Sequence, residues 1–226
     1  MPKQSHSGFG LLEMMIALSL SALIMLILLN LFISTKNTYL KQTMFADIED
    51  RMRFMSLYLS QQIRMAGNGS CESKLPTSIA EDVRVYDAHT VNQVWGVTIE
   101  SSTNAVELRE CVLFHDAQQF LPVLFFVADT HRVNHVGKPI DALFMKIDQH
   151  PREELIPGVI AFRVQLVSAM QPENHTVVLI NYVLSSINEV LKNSRAYWFQ
   201  GVRIVPSDHE FYQPGILLTA IWRNNA

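Results

Sequence analysis

The sequence predicts an α+β protein in which one long N-terminal helix packs on an antiparallel β-sheet head. Two observations lead to this fold class. Residues 11–66 contain neither Gly nor Pro, so one unbroken helix can form there. Eight of the nine Pro lie beyond residue 75, where the apolar runs become short and rich in β-branched residues. Short runs of that kind, separated by Gly and Pro, are typical of strands.

The first half of the predicted helix, residues 9–35, is apolar enough to cross a membrane. Residues 14–33 form twenty consecutive positions without a charge, a Gly or a Pro, which is the length that a helix needs to span the hydrocarbon layer. A cleaved secretory signal is the alternative, but its apolar core is usually shorter and is followed by an Ala-x-Ala-like site, which is missing here. We therefore expect a retained single span.

The second half of the predicted helix, residues 36–66, is amphipathic. Apolar side chains recur there at steps of three and four, and charged residues lie between them, as expected for a helix docked on a globular head. The apolar positions are Tyr39, Leu40, Met44, Phe45, Ile48, Met52, Met55, Leu59 and Ile63. Gly67 is placed to end the helix as a left-handed cap.

The rest of the chain, residues 67–226, is predicted to form the β-rich head. The alternation of apolar and polar residues in 161–167 indicates a sheet with one solvated face. A short helix is expected at Ser185–Lys192. The predicted strands are Val83–Tyr86, Val94–Ile99, Val106–Phe114, Val123–Ala128, Leu143–Ile147, Ile160–Leu166, Val177–Val183, Val202–Val205 and Ile216–Trp222.

Composition excludes several classes of protein. With 49% hydrophobic residues the chain can bury a core, which excludes intrinsic disorder. Nine Gly, nine Pro and two Cys exclude collagen-like and disulfide-dense proteins. The apolar residues are concentrated at one end, which excludes a multi-span membrane protein. A net charge of −3 favours neither nucleic acid nor an anionic membrane surface as a partner.

Glu13 does not fit a plain membrane anchor. It opens the apolar run and follows Leu11 and Leu12, so an ionised carboxylate would sit inside the membrane edge. Acidic groups at that depth are costly and usually have a partner. Two explanations remain open. The Glu13 side chain could extend to the membrane interface, or a specific positive charge could neutralise its carboxylate.

The residues around Glu13 resemble the class III signal of type IV pilins and of type II secretion pseudopilins. Lys3 lies in a short polar leader, Gly8 and Phe9 follow that leader, and Glu13 precedes an unbroken apolar helix. Gly10 departs from the pattern, because these families usually have Thr or Ser there. The resemblance covers about the first 35 residues.

The resemblance implies a pilin fold and a defined maturation. Prepilin peptidase would remove residues 1–8 by cutting after Gly8, and would methylate the new amino terminus at Phe9. The helix would be retained, with the head in the periplasm and a single span in the bacterial inner membrane until assembly carries the subunit to the cell surface. Glu13 would then offer its charge to a terminal amine, which would set the register between subunits.

Several patches of the head resemble the PilW-like minor pilins, which are related to the J-type minor pseudopilin. This resemblance implies a minor pilin that helps initiate or regulate pilus assembly. Its partners would be other minor pilins, the major pilin and the inner-membrane assembly machinery. The alternatives are a J-type pseudopilin of a type II secretion system and a membrane-anchored periplasmic adhesin or enzyme head. The patches are residues 62–71, 155–165, 198–204 and 218–225.

Cys71 and Cys111 are the two cysteines of the chain, and both lie beyond the span. An oxidising periplasm would allow a disulfide between them, which would stabilise the head by about 2–4 kcal/mol. Two buried free thiols are the alternative. We expect the structural bridge.

No catalytic or metal-binding pattern stands out, and we expect neither an enzyme nor a bound cofactor. His131 and His135 are spaced like zinc ligands on a helix, but Arg132 stands where zinc proteases have Glu. The residue types of a catalytic triad occur in His115-Asp116 and in Ser207-Asp208-His209, without the sequence context of a serine hydrolase.

Overall fold

The computed structural model describes residues 10–66, 83–100, 103–114, 117–168, 176–187, 196–205 and 210–221. A long N-terminal helix is followed by antiparallel strands, which confirms the predicted α+β class. The elements are α1 (Leu11–Met65), β1 (Val83–Tyr86), α2 (Ala88–Trp95), β2 (Ala105–Phe114), β3 (Ala117–Val133), β4 (Pro139–Ile147), β5 (Glu153–Pro157), β6 (Val159–Ser168), β7 (Thr176–Ser185), β8 (Tyr197–Phe199), β9 (Val202–Ile204) and β10 (Tyr212–Ile221).

The chain divides into two compact units, Met1–Met44 and Phe45–Ala226. In the first unit, the side chains of residues 10–43 are all exposed. The hydroxyls of Ser19 and Ser21 donate hydrogen bonds to the carbonyls of Ile16 and Leu18, at 2.8 and 2.9 Å. These polar groups are therefore satisfied inside the helix, as a lipid environment requires.

In the second unit, the remaining part of α1 packs on the head through one face. Ile48, Met55, Leu59 and Ile63 are fully buried, and their spacing of four and seven residues puts them on one stripe of the helix. All four belong to the predicted apolar face. The amphipathic pattern therefore identified the docking surface of this helix.

Polar contacts fix the position of α1 on the sheets. The Ser56 hydroxyl lies 2.9 Å from the Tyr182 hydroxyl, and the Arg51 guanidinium donates to the carbonyl of Pro157 at 2.9 Å. Gly158 has a φ of +80°, and a Cβ there would lie 2.7 Å from Arg51 Nη1. The turn between β5 and β6 can approach the helix this closely because it carries Gly at that position.

Five strands form sheet A, in the order β1-β2-β3-β4-β5, with every neighbouring pair antiparallel. One face packs on α1, where the Tyr58 ring meets Phe125 edge-on at 6.2 Å. The other face is covered by α2 and the segment that follows it. The buried cluster on that face contains Tyr86, Val91, Val97, Ile99, Ala105, Leu124, Phe126, Ala128, Ala142 and Phe144.

Three strands form sheet B, in the order β10-β7-β6, again antiparallel. Its inner face also packs on α1, and Ser60 and Thr219 bring their hydroxyls to 3.2 Å. Part of its outer face is covered by the β8–β9 hairpin, because Phe199 packs on Ala161 and Val183. The hairpin turns through Gln200 and Gly201, both with positive φ, as in a type I′ turn.

Part of the β6 edge of sheet B is capped by Asn104. Asn104, just before β2, donates from its amide nitrogen to the carbonyl of Val164 at 2.9 Å and accepts from the Val164 N–H at 2.7 Å. Its backbone N–H also donates to the carbonyl of Phe162 at 3.1 Å. One asparagine therefore pairs with the backbone of β6 at Phe162 and Val164, as a neighbouring strand would.

The predicted strand Val94–Ile99 was wrong. Helix α2 ends at Trp95, and residues 96–100 have no regular structure. Asp87 caps the helix by accepting from the Thr90 N–H at 2.8 Å, and Gly96 ends it with a φ of +63°. These local caps favour a helix, and they outweigh the β-branched residues that suggested a strand.

The other predicted strands are present, with differences in length. Strand β3 runs over Ala117–Val133 instead of Val123–Ala128, and β5 and β8 were not predicted. Ser185 belongs to β7, and residues 186–187 are not helical, so the start of the predicted helix Ser185–Lys192 was wrong. The rest of that helix and the Gly67 cap lie outside the described residues.

Candidate membrane and assembly segment

The first turn of α1 places Glu13 at the edge of a long apolar surface. The Gly10 carbonyl accepts hydrogen bonds from the N–H groups of Glu13 at 3.0 Å and Met14 at 3.3 Å, which starts the helix. Glu13 is exposed, and its charge is favourable at this end because the helix dipole is positive there. Gly8 and Phe9 lie outside the described residues.

The apolar part of α1 has no polar side. Exposed Leu, Ile, Met and Phe side chains follow one another from Leu11 to Ile33 around the full circumference of the helix. A window of this helix is long and apolar enough to cross a membrane, and none of that window is buried within the protein. So much exposed apolar surface requires lipid or other helices around it.

The structure describes only one of the two cysteines. Cys111 lies in β2, opposite Phe120 of β3, and Cys71 lies outside the described residues. The disulfide between them stays a prediction.

The described part of the head contains an open cleft that the sequence did not reveal. Its volume is about 790 Å³, and it lies between the segment after α2, the β3–β4 pair and the turn before β5. Polar and charged groups converge on it, including Glu100, Asp129, His131, Asp141, Lys146, His150 and Arg152. They are far apart in sequence, so no local pattern marks them.

The basic side chains of the cleft are held by the protein. Lys146 Nζ donates to the Trp95 carbonyl at 2.9 Å, and Arg152 lies over the Phe144 ring and donates to the Asp129 carbonyl at 3.2 Å. Burial, with the charges of Glu100 and Asp129, raises the pKa of Asp141 from 3.8 to about 6. Acidic and basic side chains therefore lie side by side in the cleft.

The histidine pair does not form a helical zinc motif. His131 ends the regular part of β3 with a φ of +60°, and its Nδ1 lies 3.4 Å from Asp129 Oδ2. His135 lies in the following loop. Within the described residues, no three His, Cys, Asp or Glu side chains are placed to hold a metal ion. The predicted triad residue types at 115–116 and 207–209 lie outside those residues.

Two glutamates of β2 are buried on opposite faces of sheet A. Glu107 accepts from the Tyr86 hydroxyl at 2.7 Å and from Trp95 Nε1 at 3.1 Å. Glu110 faces α1; with the Gln62 amide turned so that its nitrogen faces the carboxyl group, that nitrogen donates to both oxygens, at 3.0 Å to Oε1. Burial raises the pKa of Glu110 from 4.5 to about 7. Sequence reasoning missed both residues, since their partners come from other elements.

Comparison with known proteins identifies a motif at the start of the chain. Residues 3–29 match the family model of the prokaryotic N-terminal methylation motif. No curated protein matches the chain, and no solved structure matches it. The matched segment contains Gly8, Phe9 and Glu13 and ends inside the apolar part of α1. This prepilin-type signal, joined to an apolar helix, supports a membrane-anchored protein similar to type IV pilins and pseudopilins.

Proposed function

We propose that the chain is a PilW-like minor pilin, a structural subunit that helps initiate or regulate the assembly of a type IV pilus. The observation that carries the proposal is the position of Glu13. It is an exposed carboxylate in the first turn of α1, within the matched methylation motif and directly before an uncharged apolar helix. The head resemblance to PilW-like proteins supports the choice of branch.

Maturation gives Glu13 a partner of opposite charge. Cleavage after Gly8 creates an amino terminus at Phe9, four residues before Glu13. A methylated amine remains cationic, and groups four residues apart lie on the same side of a helix. Glu13 can therefore pair with the amine of its own chain or of a neighbouring subunit.

Pairing inside an apolar environment selects the register between subunits. An unpaired charge among Leu and Ile side chains is strongly unfavourable, and a paired one costs much less. A subunit shifted along the fibre would leave both the amine and the carboxylate without a partner. The exposed side chains of residues 14–33 would then supply the packing surface, first in lipid and afterwards in the fibre core.

The head would face the periplasm, where other minor pilins, the major pilin and the inner-membrane assembly machinery are the partners. The predicted Cys71–Cys111 disulfide fits that oxidising compartment. The proposed role is structural, so neither a cofactor nor nucleic acid is part of it.

Mass spectrometry of the mature N-terminus tests the processing step. We expect the chain from cells with active prepilin peptidase to begin with N-methylated Phe9. Cells without the peptidase are the control, and the chain there should keep residues 1–8. An uncut chain in the presence of active peptidase would contradict the proposal.

Substitution of Glu13 tests the assembly step. We expect Glu13→Gln, which removes the charge and keeps the shape, to prevent incorporation of the subunit into pili while the protein stays in the membrane. Glu49→Gln is the matched control, because Glu49 is an exposed acid on the same helix outside the apolar part. Equal incorporation of both variants would contradict a role of Glu13 in registration.

Deletion of the protein separates the pilus from the secretion alternative. A minor pilin predicts loss of surface pili and twitching with normal exoprotein release. A J-type pseudopilin predicts the opposite pair of results.

A further inference from the structure

A buried ion pair joins sheet A to sheet B. Lys138, in the turn between β3 and β4, donates from Nζ to Oε2 of Glu210 at 2.8 Å and to the Tyr212 hydroxyl at 3.0 Å. Glu210 is 2% exposed, and its other oxygen, Oε1, accepts from the side-chain amide of Asn134 at 3.2 Å. A buried carboxylate is tolerated when its oxygens have such partners. The β3–β4 turn is therefore attached to the segment that leads into β10.

The same turn holds a strained stretch of backbone after β7. Ile187 has a φ of +64°, which is unfavourable for a β-branched residue and persists only where the surrounding structure maintains it. Asn134 helps to maintain it, because its amide nitrogen also donates to the Ile187 carbonyl at 3.0 Å. Loss of this hydrogen bond would allow the backbone at residues 186–187 to relax.

The strained stretch is connected to α1 through Phe211. The Ser186 N–H donates to the Phe211 carbonyl at 2.8 Å, and the Phe211 N–H donates to the Ser186 hydroxyl at 3.0 Å. The Phe211 ring meets the ring of Phe45 on α1 edge-on, at 4.8 Å. The two neighbours of Phe211 in sequence are the partners of Lys138. The ion pair therefore fixes Phe211 against the first docked turn of α1.

The next turn of α1 has an attachment of its own. Arg51 donates to the Pro157 carbonyl at 2.9 Å, in the turn between β5 and β6. That turn is held by the backbone of Gly158, which donates to the Asp141 carbonyl and accepts from the Ser185 N–H, both at 2.7 Å. These contacts do not involve the ion pair, so α1 would stay attached from Arg51 onwards if the pair were broken.

We propose that the Lys138–Glu210 ion pair is a clamp that fixes where the docked part of α1 begins. With the clamp closed it begins at Phe45, and with the clamp open it begins near Arg51. Opening releases about 9 Å of helix, and the strained backbone after β7 favours that release. The clamp thus gives this part of the helix a local opening separate from global unfolding. The inference goes beyond the proposed function, since it concerns the docking of α1 within the head and does not require a role for Glu13.

Cysteine labelling of the full-length protein in detergent tests the clamp. Ile48 is 1% exposed and lines a groove of about 320 Å³ together with Phe45 and Phe211, so opening uncovers it. Leu59, buried on the same stripe of α1, is the control position. In the Ile48→Cys protein we expect Lys138→Met to raise the rate of maleimide labelling about tenfold or more, because a buried carboxylate loses its counter-charge. Mass spectrometry of the labelled peptide measures this rate, which should stay unchanged in the Leu59→Cys protein.

An ion pair outside this network provides the matched control. Arg132 and Glu154 pair on the accessible surface of sheet A, so Arg132→Gln should leave the labelling rate at position 48 unchanged. Should Lys138→Met fail to fold, Glu210→Gln takes its place, because it removes the buried charge and retains an acceptor oxygen. A smaller rise, again confined to position 48, is then expected. Equal rises at 48 and 59, an unchanged rate at 48 in the clamp variant, or an equal rise with Arg132→Gln would each overturn the proposal.

Discussion

Gly215 of β10 lies against the ring of Tyr182 of β7, so closely that a Cβ at position 215 would be 2.3 Å from the ring carbon Cζ. The two residues are also opposite each other in the strand register. Tyr182 is buried, and its hydroxyl lies 2.9 Å from that of Ser56 on α1. The missing side chain at position 215 thus leaves room for a ring that connects sheet B to α1.

This relationship predicts that Gly215→Ala destabilises the head. The added methyl group must displace a buried ring, and such overpacking costs about 1–3 kcal/mol. Urea unfolding of the full-length protein in detergent measures the free energy of unfolding. In a Tyr182→Ala background the same substitution should cost much less, because the clash is gone. An equal cost in both backgrounds would contradict the steric explanation.

The buried Glu110 carboxyl predicts a stability that falls as the pH rises. Its pKa is about 7 in the folded protein and 4.5 for an ordinary glutamate, so the folded state holds the extra proton between these values. The free energy of unfolding should therefore decrease from about pH 4.5 to pH 7 and stay lower above it, by on the order of 3 kcal/mol.

Glu110→Gln tests this pH dependence by urea unfolding at pH 5, 6, 7 and 8. The glutamine cannot ionise and can still exchange hydrogen bonds with Gln62, so the variant should be more stable than the natural protein at pH 8. The slope between pH 6 and 7 should disappear. The raised pKa of Asp141, about 6, contributes a similar slope at lower pH, and Asp141→Asn is the control that leaves the upper part of the curve intact.

Removal of the Glu107 carboxylate should loosen α2 from sheet A. Without it, the Tyr86 hydroxyl and Trp95 Nε1 lose the oxygen to which both donate, and two buried donors without partners cost roughly 2–3 kcal/mol together. We expect this loss for Glu107→Ala, measured by denaturation followed through tryptophan fluorescence. Glu107→Gln retains an acceptor oxygen and should lose less. If both variants lost the same, the charge beside Arg109 would be the important feature instead.

The predicted disulfide has a direct chemical test. The intact mass of the purified protein should be lower by two hydrogen atoms than that of the reduced chain. Replacement of both Cys71 and Cys111 by Ser should lower the free energy of unfolding by about 2–4 kcal/mol. Labelling of two thiols by iodoacetamide in the unreduced, unfolded protein would exclude the bridge.

Local patterns predicted the parts of the structure that depend on neighbouring residues. The spacing of Ile48, Met55, Leu59 and Ile63 follows the period of a helix, so the face that docks on the head could be read directly. The signal around Glu13 is likewise contiguous. Helix α2 could also have been predicted, from Asp87 and Gly96 as its caps. Its eight residues make too few turns to show a clear helical period, and Val94, Val97 and Ile99 favoured a strand instead.

The buried polar groups of the head could not be predicted in the same way. Glu110 and Gln62 meet across the junction of α1 and sheet A, and Glu107 joins α2 to β2. Each pair depends on how elements pack, and a single sequence contains no signal for that. The cleft around Asp141 has the same origin, because its walls come from three separate segments.

The amide of Asn104 affects where another strand could pair with the head. Asn104 hydrogen-bonds to β6 at Phe162 and Val164, so an incoming strand cannot pair with these backbone groups. Asn104→Ala would remove two hydrogen bonds from Val164, while the backbone hydrogen bond from residue 104 to the Phe162 carbonyl would remain. One side chain therefore occupies backbone groups on which a further strand could otherwise add to the sheet.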